Sequence, residues 1–353
     1  MIDAMGERVH PVVLFPQECP VEDYYRKRGI ETIVHPFSFL IEKQRYWLVK
    51  ILKNPRGSGF YKDVRTDIEC CRFVKRKLSG RGISLVHTNV SVAAVGVLIA
   101  RSMHVPHVWH IREMLGMYSS CITPRLWRLL LNTASARIFI SNAVAESWST
   151  RQRHSFVIYN AVVPGDRPPT TREKNKTILH CSAYLEDRKG VKTAVRAFTA
   201  SGLYMQGYKL LLIGSCTEER KMALLREVGD VPQAVAAIEF VGYTNDVPQY
   251  FSQASVFLMC SPSEPLGRVT IEAMYYGCPV IGRASGGTVE IIDDRRTGYL
   301  FKDDDELPSL LNEVVSNDQS EVVSRAQKQV IDKFSESAFL PKLIEVYTGL
   351  LDK

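Results

Sequence analysis

The chain of 353 residues has a formal net charge of +7, and 45% of its residues are hydrophobic while 24% are charged. This length and composition are typical of a globular protein with two domains and exclude a disordered chain. No run approaches the roughly 18 apolar residues of a membrane span, and the first residues show no signal-peptide pattern. The eight scattered cysteines include no C-x-x-C pair, which indicates reduced thiols rather than a disulfide scaffold or a zinc site, and favours the cytoplasm.

The beginning of the chain predicts a strand, a helix and a second strand over residues 9–14, 20–29 and 31–35. The strands are short runs of β-branched and other apolar residues, and the helix is a polar segment that begins at a proline. Such a unit is typical of a parallel sheet.

Residues 43–81 form the most basic part of the chain, with twelve Lys and Arg against three acidic residues. Trp47 and Leu48 lie among these charges, next to Lys50 and Lys53. Basic residues interleaved with apolar ones suit docking to the anionic head groups of a membrane. The alternative is a solvated helical hairpin on the domain surface. Nucleic acid is disfavoured as a partner because no recognition motif accompanies the charge.

From residue 83 onwards, strands and helices alternate regularly. The predicted strands are residues 84–87, 107–111, 137–140 and 155–159, and the predicted helices are residues 90–102, 124–133 and 143–149. This alternation predicts a doubly wound parallel sheet, whose ligands bind beyond the carboxyl ends of its strands. His110, Arg112 and Glu113 fall at such an end. A histidine on an apolar strand is more often structural, and Arg112 and Glu113 are either ligand contacts or an internal ion pair.

A polar segment over residues 165–176 separates this domain from a second alternating one. The predicted strands of the second domain include residues 177–182, 209–213, 237–241 and 255–259, and its predicted helices include residues 191–199, 217–228, 247–252, 305–316, 320–334 and 337–351. Lys189 and Gly190 stand at the entry of the first helix. A flexible ammonium group there can bind a phosphate, or an exposed lysine can simply end a loop.

Residues 261–301 contain the most specific pattern of the chain. Glu264 lies in a loop, a predicted helix begins at Leu266 and Gly267, and Glu272 lies inside that helix with seven residues between the two glutamates. The free N–H groups and the dipole of a helix start favour an anion. Carboxylates accept hydrogen bonds from hydroxyl groups. The pattern therefore indicates a sugar attached to a diphosphate.

This stretch resembles the donor site of the family 4 retaining glycosyltransferases, the glycosyl transferases group 1. Glu264 and Glu272 match their glutamate pair, Pro265-Leu266-Gly267 stands at their usual x-F-G position, and Gly286-Gly287 forms the expected turn. The resemblance implies the α/β GT-B fold, in which two Rossmann-like, doubly wound parallel-sheet domains face a cleft.

The resemblance also implies a division of the chain. We expect an N-terminal, acceptor-side domain over residues 1–165. This domain is expected to be truncated at its start, because it lacks the first strand of the family and the glycine-rich loop that follows that strand. A nucleotide-sugar-binding domain over residues 166–335 follows, and a terminal helix over residues 336–353 crosses back to the first domain.

Three residues match catalytic positions of that family. The resemblance implies that His110 faces the transferred sugar, that Lys189 meets the donor diphosphate, and that Glu264 accepts hydrogen bonds from the sugar. Glu272 accepts from the ribose diol. The other residues implied at the donor are Arg188, Tyr243, Thr244, Leu266, Gly267 and Arg268.

The chain departs from the family at one cation. Relatives have Gly-Arg five or six residues before the lysine, whereas this chain has Ser182-Ala183-Tyr184. Arg188 and Arg268 are the candidate replacements.

The expected function is a retaining, metal-independent transfer of a hexose from a UDP- or GDP-linked sugar to a saccharide or lipid-linked saccharide. No other cofactor is expected. The analogy favours cell-surface polysaccharide or lipopolysaccharide assembly on the inner face of the membrane. Two alternatives stay open. The first alternative is a catalytically weak or silent GT-B subunit that needs a partner, and the second is a sugar-nucleotide epimerase.

Overall fold

The structure is a computed structural model that describes residues 5–39, 59–115, 124–149, 154–170 and 172–352. The first part of the predicted basic stretch, residues 43–58, lies outside these ranges. The chain divides into two compact units, Met1–Tyr159 with Leu340–Lys353, and Asn160–Phe339. None of the described helices is both long and apolar enough to cross a membrane.

The first unit contains parallel strands that alternate with helices. Its strands are β1 (Val12–Phe15), β2 (Glu31–Val34), β3 (Val86–Thr88), β4 (His107–Ile111), β5 (Ala136–Phe139) and β6 (Ser155–Val157). Its helices are α1 (Pro20–Lys27), α2 (Gly59–Lys77), α3 (Val95–Met103), α4 (Pro124–Leu131) and α5 (Asn142–Trp148).

The strands of the first unit form two parallel sheets. β1 pairs with β2, and the four-stranded sheet has the order β3-β4-β5-β6. One apolar cluster spans both sheets, because Val12 of β1 and Val86 of β3 pack against buried residues of the helices, such as Val74 of α2 and Val95 of α3. The two sheets therefore share a helical cover on one face.

The second unit begins with a long strand and continues with regular alternation. Its strands are β7 (Asn175–Tyr184), β8 (Lys209–Ser215), β9 (Ile238–Gly242), β10 (Ala254–Met259), β11 (Val280–Arg283) and β12 (Tyr299–Phe301). Its helices are α6 (Val191–Ser201), α7 (Glu218–Arg226), α8 (Pro232–Ala236), α9 (Val247–Gln253), α10 (Arg268–Tyr275), α11 (Thr288–Ile291), α12 (Leu307–Ser316) and α13 (Ser320–Phe334), and α14 (Glu336–Leu351) continues into the first unit.

The six strands of the second unit form one parallel sheet in the order β12-β11-β10-β7-β8-β9. Its core contains fully buried side chains from strands and helices, including Phe198, Leu212, Leu258 and Phe301. The strand order reverses between the neighbouring strands β7 and β10, because β8 and β9 lie on one side of β7 and β10 to β12 lie on the other. At such a topological switch point, ligands bind beyond the carboxyl ends of the strands. The predicted α/β class with parallel sheets is confirmed.

The turn after β7 requires glycine. Gly190 has a φ of +75°, and a Cβ atom built there would lie 2.1 Å from the carbonyl oxygen of Cys260. Gly207 has a similar φ of +81°, but a Cβ atom there would meet only the side chain of Lys176, at 4.0 Å. A comparison of the two positions therefore distinguishes the cost of backbone strain, which both share, from the cost of a steric clash, which only position 190 has.

We expect Gly190→Ala to destabilise the protein more than Gly207→Ala. Both alanines would occupy the left-handed region at a cost of roughly 1–2 kcal/mol, but only alanine at position 190 would also displace the end of β10. Thermal unfolding of the two variants measures the difference. Equal losses of melting temperature would contradict the close approach of the turn to Cys260.

Candidate functional site

The loops that follow β7, β10 and β11 meet at the carboxyl end of the second sheet. After β7, a 3-10 turn over Asp187–Lys189 leads through Gly190 into α6. Ser261, which follows β10, donates a hydrogen bond from its hydroxyl group to the carbonyl oxygen of Arg188 at 3.1 Å. The turn is therefore attached to the end of β10 by a hydrogen bond as well as by the contact at Gly190.

The glycine pair after β11 supports the loop that contains Glu264. The N–H group of Gly287 donates to the carbonyl oxygen of Glu264 at 2.7 Å. A Cβ atom on Gly286 would lie 2.5 Å from that oxygen, and one on Gly287 would lie 2.6 Å from the carbonyl oxygen of Pro265. Only glycine permits this approach of one backbone to the other.

Lys189 and Glu264 meet in this site, although 75 positions separate them in the chain. The Nζ atom of Lys189 lies 2.8 Å from Oε2 of Glu264, and the two side chains are 26% and 14% exposed. Charges that are largely removed from water interact more strongly than surface pairs. The ion pair therefore holds both side chains at the carboxyl end of the sheet.

Helix α10 begins beside this pair. Gly267 is its N-terminal cap, with a φ of +94°, and Leu266 is 2% exposed. Arg268 lies 3.8 Å from the carboxylate of Glu272, and the two side chains are 66% and 32% exposed. Burial raises the pKa of Glu272, and the charge of Arg268 partly opposes that rise.

The other predicted donor residues lie on exposed turns of the same unit. Arg188 pairs with Glu186, and its side chain is 62% exposed. Tyr243 and Thr244 follow β9, where the Tyr243 side chain is 68% exposed and the Thr244 hydroxyl accepts a hydrogen bond from the N–H group of Asp246 at 3.1 Å. Arg268 is accessible to a ligand, like Arg188, because its side chain is largely exposed.

His110 belongs to the first unit and lies within β4, not beyond its end. It is 0% exposed, its ring centroid lies 5.4 Å from that of His87, and burial keeps its pKa well below the ordinary value. His87 in turn shares a 2.6 Å hydrogen bond with Tyr347, and burial lowers the pKa of His87 to about 3. Both imidazoles are therefore neutral.

Arg112 and Glu113 follow β4. Oε2 of Glu113 accepts hydrogen bonds from the N–H groups of Ser91 at 3.0 Å and Arg112 at 3.3 Å. The Nε atom of Arg112 donates to Asn89 at 3.0 Å. Glu113 thus links the loops that follow β3 and β4.

Sequence reasoning missed the residues that hold the site together through long-range contacts. Arg220, in the first turn of α7, donates to the carbonyl oxygen of Leu185 at 3.0 Å and pairs with Asp187 at 2.5 Å. Arg283 of β11 donates to the carbonyl oxygen of Cys260 at 3.2 Å. No local pattern marks these partners, which lie more than twenty positions apart. Among the described side chains, no group of three His, Cys, Asp or Glu could hold a metal ion.

Residues 164–330 match the family model described as glycosyl transferases group 1. This part of the chain is similar to that family, and the chain has the GT-B fold.

Relatives and a solved structure agree with this assignment. An uncharacterized glycosyltransferase of Haemophilus influenzae is 24% identical over 230 residues, which are 63% of each chain. The lipopolysaccharide core biosynthesis glycosyltransferase LpsE of Rhizobium meliloti is 22% identical over 190 residues, 52% of this chain and 54% of LpsE. The chain thus spans less than two thirds of either relative. The crystal structure of Anabaena Alr3699/HepE in complex with UDP superimposes with a TM-score of 0.75 at 18% identity, over 99% of this chain and 95% of that one.

The opposite pKa shifts of two glutamates predict opposite effects on stability. Burial raises the pKa of Glu272 in the folded protein. The charged carboxylate therefore destabilises the folded state at pH values above the pKa that Glu272 has in the unfolded chain, and this destabilisation disappears as the pH falls. Glu227 bonds Lys192 and Arg196, which lower its pKa, so its charge contributes stability at neutral pH. We expect Glu272→Gln to raise the melting temperature at pH 7.5 by roughly 1–3 °C and Glu227→Gln to lower it.

The difference for Glu272→Gln should shrink as the pH falls from 7.5 towards 5, because the raised pKa of Glu272 lies above the ordinary value. The difference for Glu227→Gln should persist to about pH 5 and shrink only below the ordinary pKa of 4.5, because its folded pKa lies lower still. Thermal unfolding from pH 7.5 to pH 3 measures both. A loss of stability in Glu272→Gln at pH 7.5 would show that the Glu272 carboxylate is stabilising, contrary to this account.

Proposed function

We propose that the chain is a retaining glycosyltransferase, which moves a hexose from a nucleoside-diphosphate sugar to a saccharide or lipid-linked saccharide. The observation that supports this best is the ion pair between Lys189 and Glu264 beside the start of α10. A cation and the positive end of a helix suit a diphosphate, and an adjacent carboxylate suits the hydroxyl groups of a sugar.

In this proposal, the diphosphate binds between Lys189 and the backbone N–H groups of Leu266 and Gly267. The leaving diphosphate gains negative charge as the glycosidic bond breaks, and donors that are already in place stabilise it without reorganisation. Arg188 and Arg268 are the proposed second cations, because each is exposed beside the site.

The two glutamates bind rather than transfer protons. Glu264 accepts hydrogen bonds from the transferred sugar and Glu272 from the ribose diol, while Tyr243 and Thr244 contact the base. His110, a neutral imidazole in β4, remains a predicted contact of the sugar. The leaving phosphate takes the proton of the acceptor on the same face of the sugar, so that transfer needs neither an enzymic nucleophile nor a metal ion.

The relatives supply the donor and pathway part of the proposal. HepE binds UDP, which supports a UDP-linked donor over a GDP-linked one. LpsE acts in lipopolysaccharide core biosynthesis, which supports a role in cell-surface saccharide assembly.

Calorimetric titration without metal tests the donor site. We expect one of UDP-glucose, other UDP-sugars or GDP-sugars to bind, with no change on addition of EDTA. Lys189→Ala should weaken binding at least tenfold, because a charge-assisted bond to a phosphate contributes roughly 1.5–3 kcal/mol.

Lys209→Ala is the matched control. Lys209 begins β8, at the opposite end of the sheet, where it pairs with Glu239 at 3.7 Å and is 58% exposed. An equal loss in both variants, or no binding of any donor to the native chain, would refute the assignment.

Two other classes of function remain open. A silent subunit that needs a partner is favoured by the absent arginine, and it would bind a nucleotide without turnover until that partner is added. An epimerase would convert the sugar nucleotide with no acceptor present, which NMR of the sugar nucleotide would reveal.

We also propose that α2 docks to an anionic membrane surface. Its buried face includes Cys70 and Val74, and its opposite face exposes basic side chains together with Ile68, which is 39% exposed, and Tyr61, which is 47% exposed. The exposed basic residues of this face and of the end of the helix are Lys62, Arg65, Arg72, Lys75, Arg76 and Lys77. Such a face attracts anionic lipids by charge and inserts its apolar side chains at the interface.

We expect Arg72→Gln/Lys75→Gln/Arg76→Gln to reduce binding to vesicles of phosphatidylcholine with phosphatidylglycerol by about 100-fold, at about 1 kcal/mol per basic residue. Co-sedimentation measures the affinity. Lys328→Gln/Lys333→Gln on the exposed surface of α13 is the control and should bind as the native chain does. Equal affinity for vesicles of phosphatidylcholine alone would contradict recognition by charge.

A further inference from the structure

We propose that Arg220 is a positioning residue for the diphosphate-binding lysine, an inference that rests on the proposed function. Arg220 lies on α7, on a different element from every predicted donor residue, and its side chain is 23% exposed. Its guanidinium group reaches across the carboxyl ends of β7 and β8 to the turn that contains Lys189. It acts on the donor through that turn.

The guanidinium group makes two contacts to the turn. Nε donates to the carbonyl oxygen of Leu185 at 3.0 Å, and a terminal nitrogen pairs with Oδ1 of Asp187 at 2.5 Å. Leu185 immediately follows β7, and Asp187 begins the 3-10 turn that ends at Lys189. The two contacts therefore fix the direction in which the chain leaves the strand.

The opposite side of the turn is attached separately. The carbonyl oxygen of Arg188 accepts the hydroxyl hydrogen of Ser261, and Gly190 packs against Cys260. Arg220 on one side and the end of β10 on the other hold Lys189 where its Nζ atom reaches Glu264. A flexible lysine side chain gains affinity for a phosphate when its backbone is held in this way, because less freedom is lost on binding.

Arg220 also pairs with a carboxylate on the turn that contains Lys189. The hydrogen bond from Arg220 holds the pKa of Asp187 below its usual range, so Asp187 is charged. Two further cations act on Asp187: Lys192, which lies 3.9 Å away and is shared with Glu227 at 3.0 Å, and Arg196, which pairs with Glu227. Without Arg220, the charge of Asp187, whose side chain is 61% exposed, would be offset only by water and by cations shared with Glu227, and like charges repel a diphosphate.

The backbone from which the Arg220 side chain extends is itself held in place. The N–H group of Arg220 donates to the hydroxyl oxygen of Thr217, the N-terminal cap of α7, at 3.2 Å. The planar group can serve a carbonyl oxygen and a carboxylate together, which the single ammonium group of a lysine cannot do with the same geometry.

Titration with UDP, and with UMP as a probe that lacks the second phosphate, tests the inference in the full chain. We expect Arg220→Ala to weaken UDP binding about tenfold and UMP binding less, so that the ratio of the two affinities falls. Arg220→Lys should recover only part of the loss. Asp187→Asn/Arg220→Ala should bind UDP more tightly than Arg220→Ala, because it removes the uncompensated carboxylate.

Controls separate this inference from the proposed function and from misfolding. Arg295→Ala, which removes an exposed pair with Glu313, should bind UDP as the native chain does. If the native chain binds UDP and Lys189→Ala weakens it while Arg220→Ala does not, this inference alone is overturned. No binding of UDP or GDP to the native chain overturns both. If Arg220→Ala unfolds, Arg220→Lys keeps the test informative, because it should still bind UDP more weakly than the native chain. If Arg220→Ala folds, failure of the double variant to bind more tightly than Arg220→Ala would refute the electrostatic role.

Discussion

The close approach of glycine backbone to neighbouring loops determines the arrangement of the candidate site. Gly190 packs against the carbonyl group of Cys260, and Gly286 and Gly287 pack against the backbone of Glu264 and Pro265. A side chain at any of these positions would overlap backbone atoms, which move only if the end of a strand moves. The loops after β7, β10 and β11 therefore have one relative arrangement. The charged side chains on those loops meet at fixed distances as a result.

That arrangement concentrates charge where water is scarce. Lys189 and Glu264 pair with little exposure, and the carboxylate of Glu272 is desolvated enough to raise its pKa. Glu227, which follows α7 on the same unit, has its pKa lowered by Lys192 and Arg196 instead. An unfavourable charge that persists beside a helix start is typical of a binding site, because a ligand can supply the missing hydrogen bonds. The same charge on an ordinary surface would be solvated.

The local sequence pattern predicted the bounds of an element well where the whole element is an apolar run that is buried. The bounds of β4 agree with the predicted strand over residues 107–111 because every residue of that apolar run is buried. Elements that depend on distant partners were predicted less well. β7 continues past the predicted end at residue 182, since Tyr184 pairs with Ser215 of β8. α3 begins at Val95, five residues later than predicted, and residues 91–94 form a buried, non-helical segment before it.

The contrast between local pattern and distant contacts also holds for the candidate site. Glu264, Gly267 and Glu272 lie within nine positions and form a pattern that sequence can show, whereas Arg220 meets its partners across 33 and 35 positions. In the segment where the resembled family has an arginine, Tyr184 ends β7 with 59% exposure. The cations around the turn each have a carboxylate partner, Arg188 with Glu186 and Lys189 with Glu264. Under the proposed function, a diphosphate competes with those carboxylates for the two cations. Its advantage is that it also reaches the N–H groups at the start of α10.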